Sequence, residues 1–326
     1  MRYLNILLLL PAFLLVASCS EDTSEQENIG QKTIVACADS YDKSGRTSFE
    51  EGTDGNMLGV YWSPNDQIGV FSASGNENAC FKTDIAQSSA YAAFRGDFAG
   101  TPAFAYYPYA AGNSDLHAVK GILPAEQICY PGKLTYDYKY GVPREGYPDE
   151  FTFTHFFPMI RFVVDAKGSK TMAGERLKSV TLTLPAEVQF HTGAFTGNVT
   201  NGNVNWAASA VTTNELKMVW NDEPVMTADK IVYGYLFMDA VKGLRNQMLQ
   251  VTLTTDKQTK TFKSPLVINE FKPNYIYNVP LTLAGWEDQF VDPDPGVDPN
   301  PGEGGLHIGG GSADGSEILS VKPVFE

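Results

Sequence analysis

Apolar residues in this chain recur at every second position, and no long stretch keeps a period near 3.6. In KSVTLTLP, Val180, Leu182 and Leu184 alternate with Thr181 and Thr183, and in QMLQVTLTT, Leu249, Val251 and Leu253 alternate with Gln250, Thr252 and Thr254. A period of two sends successive side chains to opposite faces of a strand. The polar run DKQT then returns the chain into KTFKSPLVI, which predicts a hairpin. Further strands are predicted in MLGVYW, QIGVF, AYAAF, AFAYYPY, FTFTHFF, IRFVV, KIVYGYLFM and YIYNVPLTL, many of them rich in β-branched and aromatic residues. Gly, Pro, Asn or Asp separates several of them. The expectation is an all-β architecture of packed sheets.

The two ends depart from this pattern. Met1-Arg2 is followed by LNILLLLPAFLLVA, an apolar run interrupted by Pro11 and too short to span a bilayer comfortably. Residues 1–18 therefore read as a secretory signal. Its end, Val16-Ala17-Ser18-Cys19, resembles the bacterial lipobox, in which the cysteine thiol receives diacylglycerol and becomes the new N-terminus after cleavage. Cys19 is accordingly the expected lipidation site. Each acyl CH₂ buried in lipid contributes ~0.8 kcal/mol, so several chains on one residue hold a protein stably. Ser20, Glu21, Asp22, Glu25 and Glu27 all precede the first lysine, Lys32, and residues 19–32 read as an acidic disordered tether. This stretch resembles the serine-plus-acid signal that sends Bacteroidales lipoproteins to the outer leaflet of the outer membrane, with the solvated linker as the plainer reading.

Inside the chain, DAKGSKTMAGER, from Asp165 to Arg176, is a polar break between two strand-rich halves. It suggests domains over 33–170 and 171–286. The stretch WEDQFVDPDPGVDPNPGEGG then carries six acids, four prolines and no base, the mark of a semi-stiff spacer, here 287–317. Residues 318–326 form a terminal segment whose Ile318, Leu319, Val321, Val324 and Phe325 can adopt strand conformation. Such a segment can dock on its own domain, dock on another molecule, or fray.

Charge and chemistry narrow the function. A net charge of −14 with no basic patch argues against nucleic acid as a partner. Cys37, Cys80 and Cys129 cannot all pair with one another, and none falls in a metal-binding spacing. The histidines, His117, His155, His191 and His307, form no HxH or HExxH pattern, and no GxSxG or P-loop is present. His155 lies in the apolar FTFTHFFPMI, where a core histidine is a simpler reading than a base. No catalytic residue, metal site or cofactor is nominated, and the chain does not read as an enzyme. The aromatic runs YYPY, from Tyr106, and YDYKY, from Tyr136, admit two readings, a carbohydrate-stacking surface or sheet-face packing.

One arrangement is more specific. Arg46-Thr47-x-Phe49, followed by Trp62-x-x-x-Asp66-Gln67-Ile68-Gly69-Val70-Phe71, resembles the opening of fimbrillin-like proteins of Bacteroidales. AFAYYPY, LPAEQ, FTFTHFFPMIRFVV, LKSVTLTLP, KIVYGYLF and NYIYNVPLTLAGW follow in the same order, so the resemblance spans about Thr33 to Trp286. It implies two transthyretin-like β-sandwich domains in tandem and a structural or adhesive subunit of a cell-surface fimbria. It also implies removal of an N-terminal strand by an arginine-directed protease, leaving a groove for the C-terminal strand of another subunit. On this chain, Ile34–Ala38 is the candidate removable strand, Arg46 the candidate processing site or, more plainly, an exposed residue beginning a strand, and Ile318, Leu319, Val321, Val324 and Phe325 the candidate donor strand. Pro323 interrupts that donor, and the long acidic spacer departs from the family pattern. The implied partners are other fimbrial subunits, outer-membrane lipid through acylated Cys19, and host or bacterial surface ligands. A monomeric surface lipoprotein that binds glycan or another ligand is the alternative.

Overall fold

The computed structural model describes residues 29–38, 48–51, 58–75, 77–169, 171–284, 306–311 and 317–321; of these, 48–51, 58–59, 306–311 and 317–321 are described as backbone alone. Every regular element among the described residues is a strand. The first seven are β1 (Gly30–Cys37), β2 (Ser48–Glu51), β3 (Leu58–Tyr61), β4 (Gln67–Ser72), β5 (Ala79–Thr83), β6 (Tyr91–Phe98) and β7 (Pro102–Tyr107). Then come β8 (Val119–Leu123), β9 (Glu126–Cys129), β10 (Lys139–Arg144), β11 (Tyr147–His155) and β12 (Met159–Asp165). The next group is β13 (Leu177–Thr183), β14 (Phe190–Gly197), β15 (Val204–Trp206), β16 (Val211–Thr213), β17 (Glu215–Trp220) and β18 (Val232–Phe237). The last are β19 (Met248–Thr255), β20 (Thr259–Pro265), β21 (Ile276–Thr282), β22 (Leu306–Gly311) and β23 (Glu317–Val321).

Seven of these strands close into a barrel in the order β1-β11-β10-β7-β4-β5-β6. Its interior is aromatic and small: Trp62, Phe81, Phe94, Phe151 and Phe153 are buried there with Ile34, Ala36 and Ala38. Two five-stranded sheets, β18-β12-β21-β22-β23 and β20-β19-β13-β17-β9, carry most of the rest, and a smaller sheet joins β8, β15 and β16 to β14. Between them lies a second, larger core that includes Val180, Leu182, Leu249, Val251 and Leu253. These are the residues whose alternation predicts strands, and burial of one face of each strand is what holds the sheets together. The predicted hairpin is present, with Thr254 opposite Thr259 and Leu249 opposite Ser264.

Two pairings reach across the chain. β12 runs antiparallel to β18 and parallel to β21, so both of its neighbours lie beyond the polar break at 165–176. β9, from the first half, runs parallel to β17 in the second. β1 begins at Gly30, within the stretch expected to be a tether.

Candidate functional site

The strand GQKTIVAC holds the barrel closed. Along its whole length β1 pairs antiparallel with β6, from Gly30 opposite Phe98 to Cys37 opposite Tyr91. On its other side it pairs parallel with β11, but only at Val35, Ala36 and Cys37. Strand alternation puts Ile34, Ala36 and Ala38 into the barrel, all fully buried, while Val35 faces out. Without β1, the barrel has two open edges, β6 and β11, facing each other across a strand-wide slot.

Two side chains reach the C-terminal end of this strand. The Trp62 indole N–H donates to the Ala36 carbonyl at 2.9 Å. The Lys139 ammonium donates to the Ala38 carbonyl at 3.2 Å. Trp62 is wedged edge-on against Phe94 and Phe153, with ring centroids 4.9 and 5.0 Å away, and Lys139 Nζ sits 5.4 Å above the Trp62 ring. That leaves room for methyl groups, and Ala36 and Ala38 supply them.

Lys139 is fully buried, so its charge needs an interior partner. Asp137, two residues earlier, provides it: Oδ2 lies 3.0 Å from Lys139 Nζ as a charge contact rather than a well-directed hydrogen bond. The other oxygen, Oδ1, is 2.5 Å from His155 Nδ1. β10 and β11 set this geometry, because their register places Lys139 directly opposite His155. Burial pushes the Asp137 carboxyl up, but the charges of His155 and Lys139 beside it, and the hydrogen bond with His155, outweigh that and hold it below the ordinary carboxylate value. Tyr136, Tyr138 and Tyr140, on the opposite face, pack against the larger core. In YDYKY it is therefore the charged residues that enter the barrel.

The other candidate residues are dispersed. Cys19, Arg46, Val324 and Phe325 lie outside the described residues. Ile318, Leu319 and Val321 fall on β23, which pairs with β22 (Leu319 opposite Ile308), and β22 pairs with β21 (Tyr277 opposite Gly310). The tail thus docks on the edge of its own sheet. Tyr106 is buried, its hydroxyl bonded to the Asn78 side chain and the Ala110 carbonyl, which favours packing over a stacking platform. The Tyr107 hydroxyl meets Asp66 at 3.4 Å. His191 pairs with Asp239 at 2.7 Å and stacks on Trp206, far in sequence from His155 and His117. Among the described residues no group of three or more His, Cys, Asp or Glu is arranged to hold a metal ion. Among the described residues Cys37, Cys80 and Cys129 form no disulfide, and burial pushes the Cys129 thiol up to about 11. Sequence reasoning picked out Ile34–Ala38 but missed Asp137 and Lys139, whose only local signal is two opposite charges spaced to share a strand face.

No protein-family model matches the chain. No curated protein matches it either. Among solved structures it is similar to a "putative cell adhesion protein" of Bacteroides ovatus, with 15% identity over 91% of this chain and 99% of that one, at a TM-score of 0.49. A protein of the same description from Bacteroides uniformis has 14% identity over 90% of this chain and 98% of that one, at a TM-score of 0.47. A fimbrial assembly protein of Parabacteroides distasonis has 11% identity over 90% and 99%, at a TM-score of 0.39. By description these neighbours are Bacteroidales cell-adhesion and fimbrial proteins. Each of the three TM-scores lies below 0.5, so the functional reading rests on the chain's own strands.

Proposed function

We propose that the chain is a structural or adhesive subunit of a cell-surface fimbria, anchored at first through acylated Cys19 and assembled by exchange of strands between subunits. The observation that carries this reading is β1, a strand that closes the barrel and is bonded on both sides. The only arginine between it and β2 is Arg46. Cutting there frees β1 from everything that follows, and its departure bares two backbone edges that only another strand can satisfy. The tail, with Ile318, Leu319, Val321, Val324 and Phe325 as its strand-forming residues, is the donor, and the 287–317 spacer gives it reach. The two halves are read as tandem transthyretin-like β-sandwich domains on the outer surface of the outer membrane, acting through contact with other subunits and surface ligands rather than catalysis.

The test is limited proteolysis of the mature protein, followed by a search for SDS-resistant ladders. Ladders that disappear with Arg46→Ala, and again on truncation before residue 306, are the expected result. A monomer that persists after verified cleavage at Arg46 overturns strand exchange.

A further inference from the structure

We propose that Trp62 and Lys139 form a carbonyl-reading clamp at one end of the β1 slot, and that the segment of a second copy that satisfies it is Ile308-x-Gly310-x-Ser312. This rests on the strand-exchange reading and moves the donor within the tail, from Ile318–Phe325 to the earlier segment on β22.

The clamp offers two donors to the carbonyls of alternate residues, the indole N–H to Ala36 and the ammonium to Ala38. An incoming strand must therefore present two carbonyls in that spacing. The same two residues point their side chains at Trp62 and the rings packed around it, so both must be small. The position two residues earlier, Ile34, is buried and large. The slot thus selects large-x-small-x-small along the direction of β1. Ion pairing alone is a poor reason to bury Lys139, since desolvating two charges offsets much of what their attraction returns. An ammonium fixed by Asp137, itself fixed by His155, has a purpose if it must stay aimed at the occupant's backbone.

The tail can be compared with this requirement residue by residue. Ile318-x-Ser320-x-Lys322 fails at its last position, where a bulky cation would meet Lys139. Leu319-x-Val321-x-Pro323 fails at both small positions. Ile308-x-Gly310-x-Ser312 meets all three, and it places Leu306 where β1 has Lys32. In this structure β22, which carries Ile308 and Gly310, lies on β21 of its own chain.

The experiment uses the full mature chain, nicked at a single protease site engineered between residues 39 and 47. Fluorescent nonapeptides are then scored for displacement of β1. They are residues 30–38, the same peptide carrying Ala36→Leu, residues 304–312, and residues 317–325. The expected result is binding by 30–38 and 304–312, with a loss of about tenfold or more for Ala36→Leu and for 317–325. Lys139→Met and Trp62→Phe should each weaken the 30–38 peptide by about tenfold, the size of one charged or buried hydrogen bond. If 317–325 competes as well as 304–312, or Ala36→Leu binds within about twofold of its parent, the clamp is refuted without reliance on any protein variant. Peptide selectivity as expected, with no transfer between whole subunits, would instead overturn strand exchange and leave the clamp standing.

Discussion

Replacing Lys139 by Met tests whether the charges inside the barrel form one unit. Met is close to Lys in length and fills the same methylene path, so the cavity term is small. The electrostatic loss is large, because Asp137 is fully buried and has its charge balanced by Lys139 at 3.0 Å and His155 at 2.5 Å. Removing one member of a buried ion pair costs about 3–5 kcal/mol, since the remaining charge stays desolvated. The lost bond to the Ala38 carbonyl belongs within that figure rather than on top of it. Asp137→Asn in the Lys139→Met background should then cost less than it does alone, because the Lys139 ammonium is no longer there to be stranded and only His155 loses its partner. Coupling of about 2 kcal/mol or more is expected from the double-mutant cycle. Urea unfolding followed by tryptophan fluorescence measures all four species. A Lys139→Met protein within about 1 kcal/mol of wild type, or costs that simply add, would refute the idea that Asp137, Lys139 and His155 are interdependent.

Other consequences are independent of that one. The Asp137 carboxyl titrates lower in the folded chain than in the unfolded one, so the stability it contributes is complete above the unfolded carboxylate value and is lost as pH falls through the folded value. Asp137→Asn should therefore flatten the acid limb of the stability profile measured by urea titration across pH. Cys129, buried and pushed up to about 11, should resist iodoacetamide in the native protein at mildly alkaline pH and react once unfolded, as peptide mass mapping would show. A Cβ at Gly96 would lie 2.6 Å from the Cys80 backbone oxygen, whereas one at Gly234 meets first the mobile end of Met218 at 2.2 Å. Gly96→Ala should lower the thermal midpoint more than Gly234→Ala, and the reverse order would contradict the packing described here.

The alternation in KSVTLTLP and QMLQVTLTT made β13 and β19 legible, because each buries one face only and the sequence records which. The same rule fails at YDYKY. This stretch lies between two cores, so the half-buried tyrosines on one face look like the interior while Asp137 and Lys139 occupy the barrel. Nothing within five residues reveals that a histidine from β11 will meet the Asp137 carboxyl, or that the Ala38 carbonyl just past β1 will accept from Lys139. β12 is similar: its apolar residues announce a strand, but its partners β18 and β21 come from much later in the chain, and local pattern is silent about them. Ile34–Ala38 entered as a candidate through the resemblance to fimbrillin-like proteins, whereas its place as the barrel's closing strand depends on β6 and β11.

The ladder around β1 is asymmetric, and that bears on how the strand could leave. Eight residue pairs join β1 to β6, but the three that join it to β11 are confined to Val35, Ala36 and Cys37. The bonds from Trp62 and Lys139 fall on the same end, at Ala36 and Ala38. Gly30 to Ile34 are thus held from one side, and Val35 to Ala38 from every side. Fraying begins where the fewest bonds must break together, so β1 should peel from Gly30 and release last at Ala38. That last-released end is the one nearest Arg46. A cut at Arg46 therefore removes the covalent tether without loosening the grip, and β1 remains in place until a competing strand invades from the Gly30 end. An occupied slot after cleavage, with hydrogen exchange faster at Lys32 and Ile34 than at Ala36, is the signature this order of events requires.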